Sequence, residues 1–236
     1  MSVSAVIVAA GSGARFGGEP KQFRRLGSAP LLAWSVNTLA RHPSVSKLVV
    51  VVPASVVPAP PPWLRDFAAE VVAGGETRRE SVALGLAAIP PTEEVVLVHD
   101  GARPFVTPTL IERILDASRL GPAIPGLRIP DTVKMVDDGS RVLATLDRDR
   151  LRTVQTPQAF PVDLLSELHA RADLEGSAAT DDAALVEKYG VPVRVVEGDP
   201  LNLKITTRAD FGLAEWLVAE GHTALAGIEP PTHPDD

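Results

Sequence analysis

The feature that most constrains this chain is an alternation. Short apolar runs of strand length give way, again and again, to amphipathic stretches of helix length. Residues 5–10, 47–52, 71–73 and 95–98 are apolar runs, and residues 30–41, 77–88 and 107–120 carry leucine, isoleucine and valine on helical faces. An apolar run without polar alternation is a strand buried on both faces. A helix between successive strands of that kind predicts an α/β fold: a Rossmann-like, mostly parallel sheet covered by helices on both faces. Leu31, Leu32, Val36, Leu39, Val82, Leu84, Leu86, Leu110, Ile111, Ile114 and Leu115 are the expected core-facing helix positions.

Beyond residue 130 the pattern changes. Residues 132–136 and 141–146 are short β-like runs around Asp137-Asp138-Gly139-Ser140, a hairpin signal. Residues 131–151 therefore read as a β-hairpin arm projecting from the sheet. Residues 164–171, 182–189 and 207–219 read as helices and 193–196 as a strand, with a proline-rich connector at 58–62 and a short helix at 63–69. The expected organisation is one domain over residues 1–221. The tail from His222 to Asp236, with Pro230, Pro231 and Pro234, is expected to be disordered.

Ligands of open α/β sheets sit at the carboxyl ends of the strands. Three such ends carry candidate chemistry here. The first strand runs through Ala9 and Ala10 into Gly11-Ser12-Gly13-Ala14-Arg15-Phe16, and Lys21 follows in Pro20-Lys21-Gln22-Phe23. Small residues let backbone N–H groups approach a polyphosphate, and Arg15 and Lys21 add two cations. A dinucleotide loop needs glycine where Phe16 stands, and a Walker loop needs serine or threonine after its lysine, where Gln22 stands. The second end is Gly74-Gly75, followed by Glu76-Thr77-Arg78-Arg79-Glu80-Ser81. Thr77 can cap the next helix there, with Glu80 three residues on. The third is His99-Asp100-Gly101-Ala102-Arg103, where a carboxylate ends a buried strand, a costly placement unless it binds something. A structural pair with Arg103 is the ordinary alternative for Asp100.

Bulk properties narrow the class. The chain has 236 residues, 45% of them hydrophobic, enough for a sizeable core. No run of 18 apolar residues marks a membrane span, and the N-terminus enters a strand without a secretory pattern. Cysteine is absent, so disulfides and thiolate metal sites are excluded, and cytoplasm is the expected compartment. The net charge of −7 speaks against a general nucleic-acid binder. An anionic ligand must be drawn by local cations. His42, His99, His169, His222 and His233 show no metal-ligand spacing; His99 is expected to pack beside Asp100.

The order A-A-G-x-G-x-R then P-K-Q-F resembles the nucleotidyltransferase fold family and, within it, the 2-C-methyl-D-erythritol 4-phosphate cytidylyltransferases of the non-mevalonate isoprenoid route. Further stretches carry the likeness. Gly74 to Val82 matches G-G-x-x-R-x-x-S-V, and Val98 to Pro104 is similar to V-H-D-A-A-R-P with Gly101 as a small-for-small departure. Asp131-Thr132 resembles the D-T that opens the family's arm, and Arg148 stands eight residues before Thr156 as the family's arm arginine does. Thr180-Asp181-Asp182-Ala183 resembles T-D-[DE]-A, and Asn202-Leu203-Lys204-Ile205-Thr206 resembles N-[IL]-K-[IV]-T. Singly each match has an ordinary structural reading; in order, over residues 5–211, coincidence is implausible.

The resemblance implies an enzyme joining CTP to a phosphorylated sugar alcohol, with Mg²⁺ as the expected cofactor. It implies CTP binding by Ala9, Ala10, Gly11, Gly13, Gly74, Gly75, Ser81 and Asp100, and catalysis by Arg15, Lys21, Arg148 and Lys204. Asp100, Arg103, Thr132, Arg148, Thr156 and Lys204 would hold the second substrate. Asp100 is also the candidate metal ligand. The family implies a homodimer in which interlocking arms complete the neighbour's site. Three alternatives stand beside this. A ribitol 5-phosphate cytidylyltransferase usually shows A-G-G at residues 9–11. A dinucleotide dehydrogenase is opposed by Phe16 and the Arg15/Lys21 pair. A non-catalytic nucleotide-binding module would be expected to lack one of the cations, and none is missing.

Overall fold

Val3–Val8 (β1) shows why the apolar runs form a central sheet. Val3, Ala5 and Ile7 pack into one hydrophobic cluster and Val6 into another on the opposite face. Val45–Val52 (β4) and Val95–Asp100 (β6) divide their side chains in the same way. The computed structural model of the protein, which describes residues 1–11, 21–176, 179–225 and 227–229, places β1 between these two, parallel to both. Glu70–Ala73 (β5) pairs with β4, also in parallel.

Helices follow the strands as the alternation requires. A two-residue hairpin, Arg25–Leu26 (β2) with Ala29–Pro30 (β3), leads into Leu31–Arg41 (α1). Arg78–Ala87 (α2) follows β5, and Pro108–Ser118 (α3) follows β6. Helices α1 and α3 cover one face of the sheet and α2 the other. All the expected core positions on α1 and α3 are buried. On α2 the expectation for Leu84 is corrected. Val82 and Leu86, four apart, face the sheet, whereas Leu84 falls between them on the outer side and is 45% exposed. Gly85 lets α2 settle on β1, since a Cβ there would lie 2.5 Å from Val6 Cγ1.

The other half of the sheet is mixed. It adds three strands that the apolar pattern does not announce: Ala123–Arg128 (β7), Arg152–Val154 (β10) and Gln158–Pro161 (β11). β11 runs antiparallel between β6 and β7, β10 runs antiparallel to β7, and Arg194–Glu197 (β12) lies parallel along β7. Pro125 and Gly126 inside β7 hide it from a propensity reading. Val162–Glu175 (α4) and Asp182–Lys188 (α5) pack on the α2 face. Residues 62–67 form a 3₁₀ helix where a short helix is expected.

The arm is a hairpin of Lys134–Val136 (β8) and Val142–Thr145 (β9), closed by Asp137, which accepts from Arg141 N at 2.9 Å. Its apolar side chains stay outside: Met135, Val136, Val142 and Leu143 are 47–60% exposed. Arg208–Ala219 (α6) packs beside α1 in a third cluster with Trp34 and Phe105. The tail expected to be disordered is in part built into the fold. His222–Leu225 (α7) follows α6, Ile228 is buried in that third cluster, and Asn37 Nδ2 donates to Glu229 O at 3.1 Å. Residues 230–236 lie outside the described residues. Among the described residues no helix is long and apolar enough to cross a membrane.

Candidate active site

The carboxyl ends of β1, β5 and β6 open into one cavity of about 580 Å³, within the range of small-ligand sites. Ala9, Ala10 and Gly11 form its floor, Gly75 to Arg78 and Ser81 one wall, and Asp100 to Ala102 another. Lys21, Gln22, Lys204 and Thr206 close it. Three cations (Lys21, Arg78, Lys204) thus face two carboxylates (Glu76, Asp100), a local excess of positive charge on a chain of net −7. Gly13 and Arg15 lie outside the described residues.

Each wall is held by its own chemistry. Gln22, buried, donates its side-chain amide to Ala9 O at 2.7 Å and Gly11 O at 3.2 Å, pinning the start of the glycine loop. Lys21 Nζ donates to Ile205 O at 2.5 Å, tying the loop's lysine to the 201–207 segment. Thr77 caps α2 by accepting from Glu80 N at 3.1 Å. The Glu80 carboxylate in turn accepts from Glu76 N at 2.8 Å. Ser81 Oγ accepts from Gly75 N at 3.2 Å and donates to Thr77 O at 2.9 Å, so it shapes the loop that lines the cavity. Gly74 stands behind that loop. A Cβ there would overlap the Ala10 Cβ and lie 2.9 Å from Ser81 Oγ, so only glycine lets the ends of β1 and β5 meet.

Asp100 is the node of the site. Its Oδ1 accepts from Arg78 Nε at 3.0 Å and its Oδ2 from Lys204 Nζ at 2.6 Å. Burial works to raise its pKa, but Arg78 and Lys204 hold the carboxyl well below the usual carboxylate range. Its partners are thus Arg78 and Lys204, in place of the Arg103 pairing considered from sequence. Behind it a chain of hydrogen bonds fixes the backbone. Asp100 N donates to Thr156 Oγ1 at 3.0 Å, and that hydroxyl meets His99 Nδ1 at 3.1 Å. His99 Nε2 faces Arg103 O at 3.0 Å and must carry the proton, which leaves Nδ1 to accept from Thr156. His99 is fully buried, and burial holds its pKa down to about 4.

Of the six residues expected around the second substrate, Asp100 and Lys204 line the cavity. Arg103 is buried in the wall, donating to Asn202 O at 2.7 Å and Val154 O at 3.3 Å. Thr156 is buried beside His99, behind Asp100. Thr132 and Arg148 stand exposed on the arm, where Arg148 Nη1 donates to Pro130 O. Within this chain those four support or flank the cavity and do not line it. Several lining residues have no role assigned from sequence, and two of them, Gln22 and Arg78, hold the walls in place. Gln22 stands in the P-K-Q-F motif and Arg78 in the G-G-x-x-R motif, but their roles depend on contacts that sequence does not display. The metal-ligand expectation for Asp100 is constrained in the same way, since each of its oxygens already has a cationic partner. Among the described residues no group of three or more His, Asp or Glu side chains could hold a metal ion. Glu76 and Asp100 are the carboxylates that line the cavity, and a Mg²⁺ held chiefly by nucleotide phosphates and water needs only one or two such groups.

The chain is similar to known proteins over most of its length. The family model for IspD, 2-C-methyl-D-erythritol 4-phosphate cytidylyltransferase, matches residues 3–220. The enzyme of that name from Geobacillus kaustophilus is 41% identical over 225 residues, covering 93% of this chain and 98% of the relative. A bifunctional IspD/IspF enzyme from Nitrobacter winogradskyi is 43% identical over 97% of this chain, which spans 58% of that longer protein. The crystal structure of the cytidylyltransferase from Thermus thermophilus superposes with a TM-score of 0.78 at 38% identity, covering 93% of this chain and all of that one. The motifs, the cavity and the family match lead to one conclusion: this chain belongs to the 2-C-methyl-D-erythritol 4-phosphate cytidylyltransferase family, a family of nucleotidyltransferases.

Proposed function

We propose that this chain joins CTP and 2-C-methyl-D-erythritol 4-phosphate, giving the CDP-linked alcohol and pyrophosphate, a step of isoprenoid precursor synthesis. The observation that carries the reading is the convergence of Lys21, Lys204 and the Arg78–Asp100 pair on one strand-end cavity. In this reaction a phosphate oxygen of the alditol phosphate attacks the α-phosphorus of CTP. One P–O bond forms, the α–β bond breaks, and pyrophosphate leaves with the electron pair. The attacking phosphate is ionised at neutral pH, so no general base is required. Asp100 is not poised as one, because cations engage both of its oxygens.

The barrier then lies in bringing anions together and in charge on the departing pyrophosphate. Positioned cations meet both demands. Lys21, with Arg15, serves the triphosphate; Lys204 neutralises the incoming phosphate; Asp100 orients Lys204 and the substrate. When Mg²⁺ is bound, the substrate phosphates and Asp100 would hold it, and it would supply screening of the phosphates' negative charge. Ala9, Ala10, Gly11 and Gly75 offer a close-packed backbone surface to the nucleotide. We further propose a cytoplasmic homodimer, in which Thr132 and Arg148 of the arm serve the neighbouring subunit.

Pyrophosphate release, measured with each of the four nucleoside triphosphates and a panel of alditol phosphates, tests the reading. Release is expected with CTP and methylerythritol phosphate and only when Mg²⁺ is present. Equal rates with ATP, or release with ribitol 5-phosphate alone, would overturn the assignment.

A further inference from the structure

The motif at residues 180–183 takes no part in lining the cavity, yet its Asp182 is buried and charged. It belongs to a chain of alternating charges that starts at the cavity. Lys204 Nζ lies 2.6 Å from Asp100 Oδ2, and Asp100 Oδ1 lies 3.0 Å from Arg78 Nε. Arg78 Nη1 lies 2.7 Å from Asp182 Oδ2, and Asp182 Oδ1 lies 2.9 Å from His169 Nε2. The last pair is 2% exposed on both sides. Because the carboxylate only accepts, His169 Nε2 carries the proton. Five separate parts of the chain meet here: the 201–207 segment, β6, α2, α5 and α4.

The far end of the chain is built to stay still. Asp181 caps α5, accepting from Ala184 N at 2.8 Å. Gln158 on β11 clasps the same turn, donating to Asp181 Oδ2 at 2.7 Å and accepting from Ala183 N at 3.2 Å. Arg78 spends two donors of its rigid fork on two carboxylates from different elements, which fixes its plane. Its Nη2 is buried without a partner. With Asp182 gone, a single carboxylate would remain to hold the guanidinium, and its plane would be free to turn. Asp100 would then lose the fixed partner of its Oδ1.

We propose that Asp182, oriented by His169, is a positioning residue for the reaction: it locks Arg78 against Asp100 and so keeps Asp100 and Lys204 in register at the cavity. The assignment rests on the functional reading above. It acts through Arg78 and requires no contact between Asp182 and either substrate.

Asp182→Asn tests it, since the amide keeps the shape and removes the charge. Loss of outer partners that orient reacting groups, as at metal sites, costs about 10–100-fold. A fall of about tenfold or more in kcat is therefore expected, with KM for CTP little changed. In an Arg78→Gln background the same substitution should cost nothing further, because the link it acts through is already cut. Hydrogen exchange gives a second readout. The Arg78 Nε–H, bonded to Asp100 and not to Asp182, should exchange faster with solvent in Asp182→Asn, as followed by ¹H–¹⁵N NMR. Unchanged turnover, unchanged exchange, or losses that multiply in the double variant would each overturn the proposal. Should Asp182→Asn fail to fold, His169→Leu and His169→Gln carry the test. Leucine removes the N–H donor and should reproduce the loss, glutamine supplies one and should restore activity, and equal behaviour of the two refutes the role. An inactive wild type would sink the functional reading alone, while the exchange measurement would still decide the positioning.

Discussion

Lys21 and His99 show how single residues divide the work between chemistry and stability. Lys21 lines the cavity and donates to Ile205 O, so its ammonium is held at the cavity wall. If it stabilises charge that develops as pyrophosphate leaves, Lys21→Ala should lower kcat and kcat/KM together, by about a hundredfold or more. A variant with raised KM and intact kcat would make Lys21 a binding residue only. His99 acts through protonation instead. In the unfolded chain it takes a proton near 6.5, whereas burial in the folded protein holds its pKa down to about 4. Between those values the unfolded state binds more protons, so stability is complete above about pH 6.5 and declines as pH falls toward 4, by on the order of 3 kcal/mol. Burial lowers the pKa of His42 too, which adds to the slope in the same direction. Glutamine at position 99 can accept from Thr156 and donate to Arg103 O without titrating. His99→Gln should therefore lose stability less steeply between pH 7 and pH 4.5 in urea titrations; parallel curves for variant and wild type would refute the account.

Elements differ in how openly the sequence declares them. β1, β4 and β6 are legible because burial on both faces leaves a largely apolar run, and the cavity is legible because glycines follow β1 and β5 and Asp100 ends β6. β7 is hidden by Pro125 and Gly126, and β11 by its polar start at Gln158, since antiparallel insertion into a sheet leaves no periodic mark on so short a run. Arg78 and Asp182 stand in motifs of the family, but their pairing spans 104 positions and nothing local announces it. The tail misleads for a related reason. Its prolines suggest disorder, while the residue that anchors it, Ile228, is a single apolar side chain entering a cluster with Trp34, Phe211 and Leu217. Burying such a side chain stabilises by about 1.5–3 kcal/mol. Asn37 Nδ2, which donates to Glu229 O, would also lose its partner. Truncation after Gly221 is thus expected to destabilise the protein by roughly 2 kcal/mol or more, combining lost burial with an unmet buried polar group. A urea midpoint unchanged by the truncation would show that the anchor carries no weight.

At the scale of the whole molecule the arm poses the question. An isolated two-stranded hairpin is marginal in water. This one leaves Met135, Val136, Val142, Leu143 and Leu146 between 37% and 60% exposed, an apolar surface that a second subunit would cover. It also carries Thr132 and Arg148, which belong to the family's motifs yet do not line their own chain's cavity. The proposed two-fold dimer would answer both facts at once: the arm of one subunit would pack on the other and bring Arg148 to the other's cavity. Mixing two inactive variants, Lys21→Ala and Arg148→Ala, distinguishes the arrangements. If Arg148 acts across the interface, a mixed dimer has one site with both residues intact and one with neither, and activity partly returns after subunit exchange. Light scattering should show a dimer, and exchange should be verified with subunits carrying two fluorescent labels. A verified mixed dimer without recovered activity would place Arg148 in the service of its own chain. A monomer at working concentration would remove the arm from the mechanism altogether.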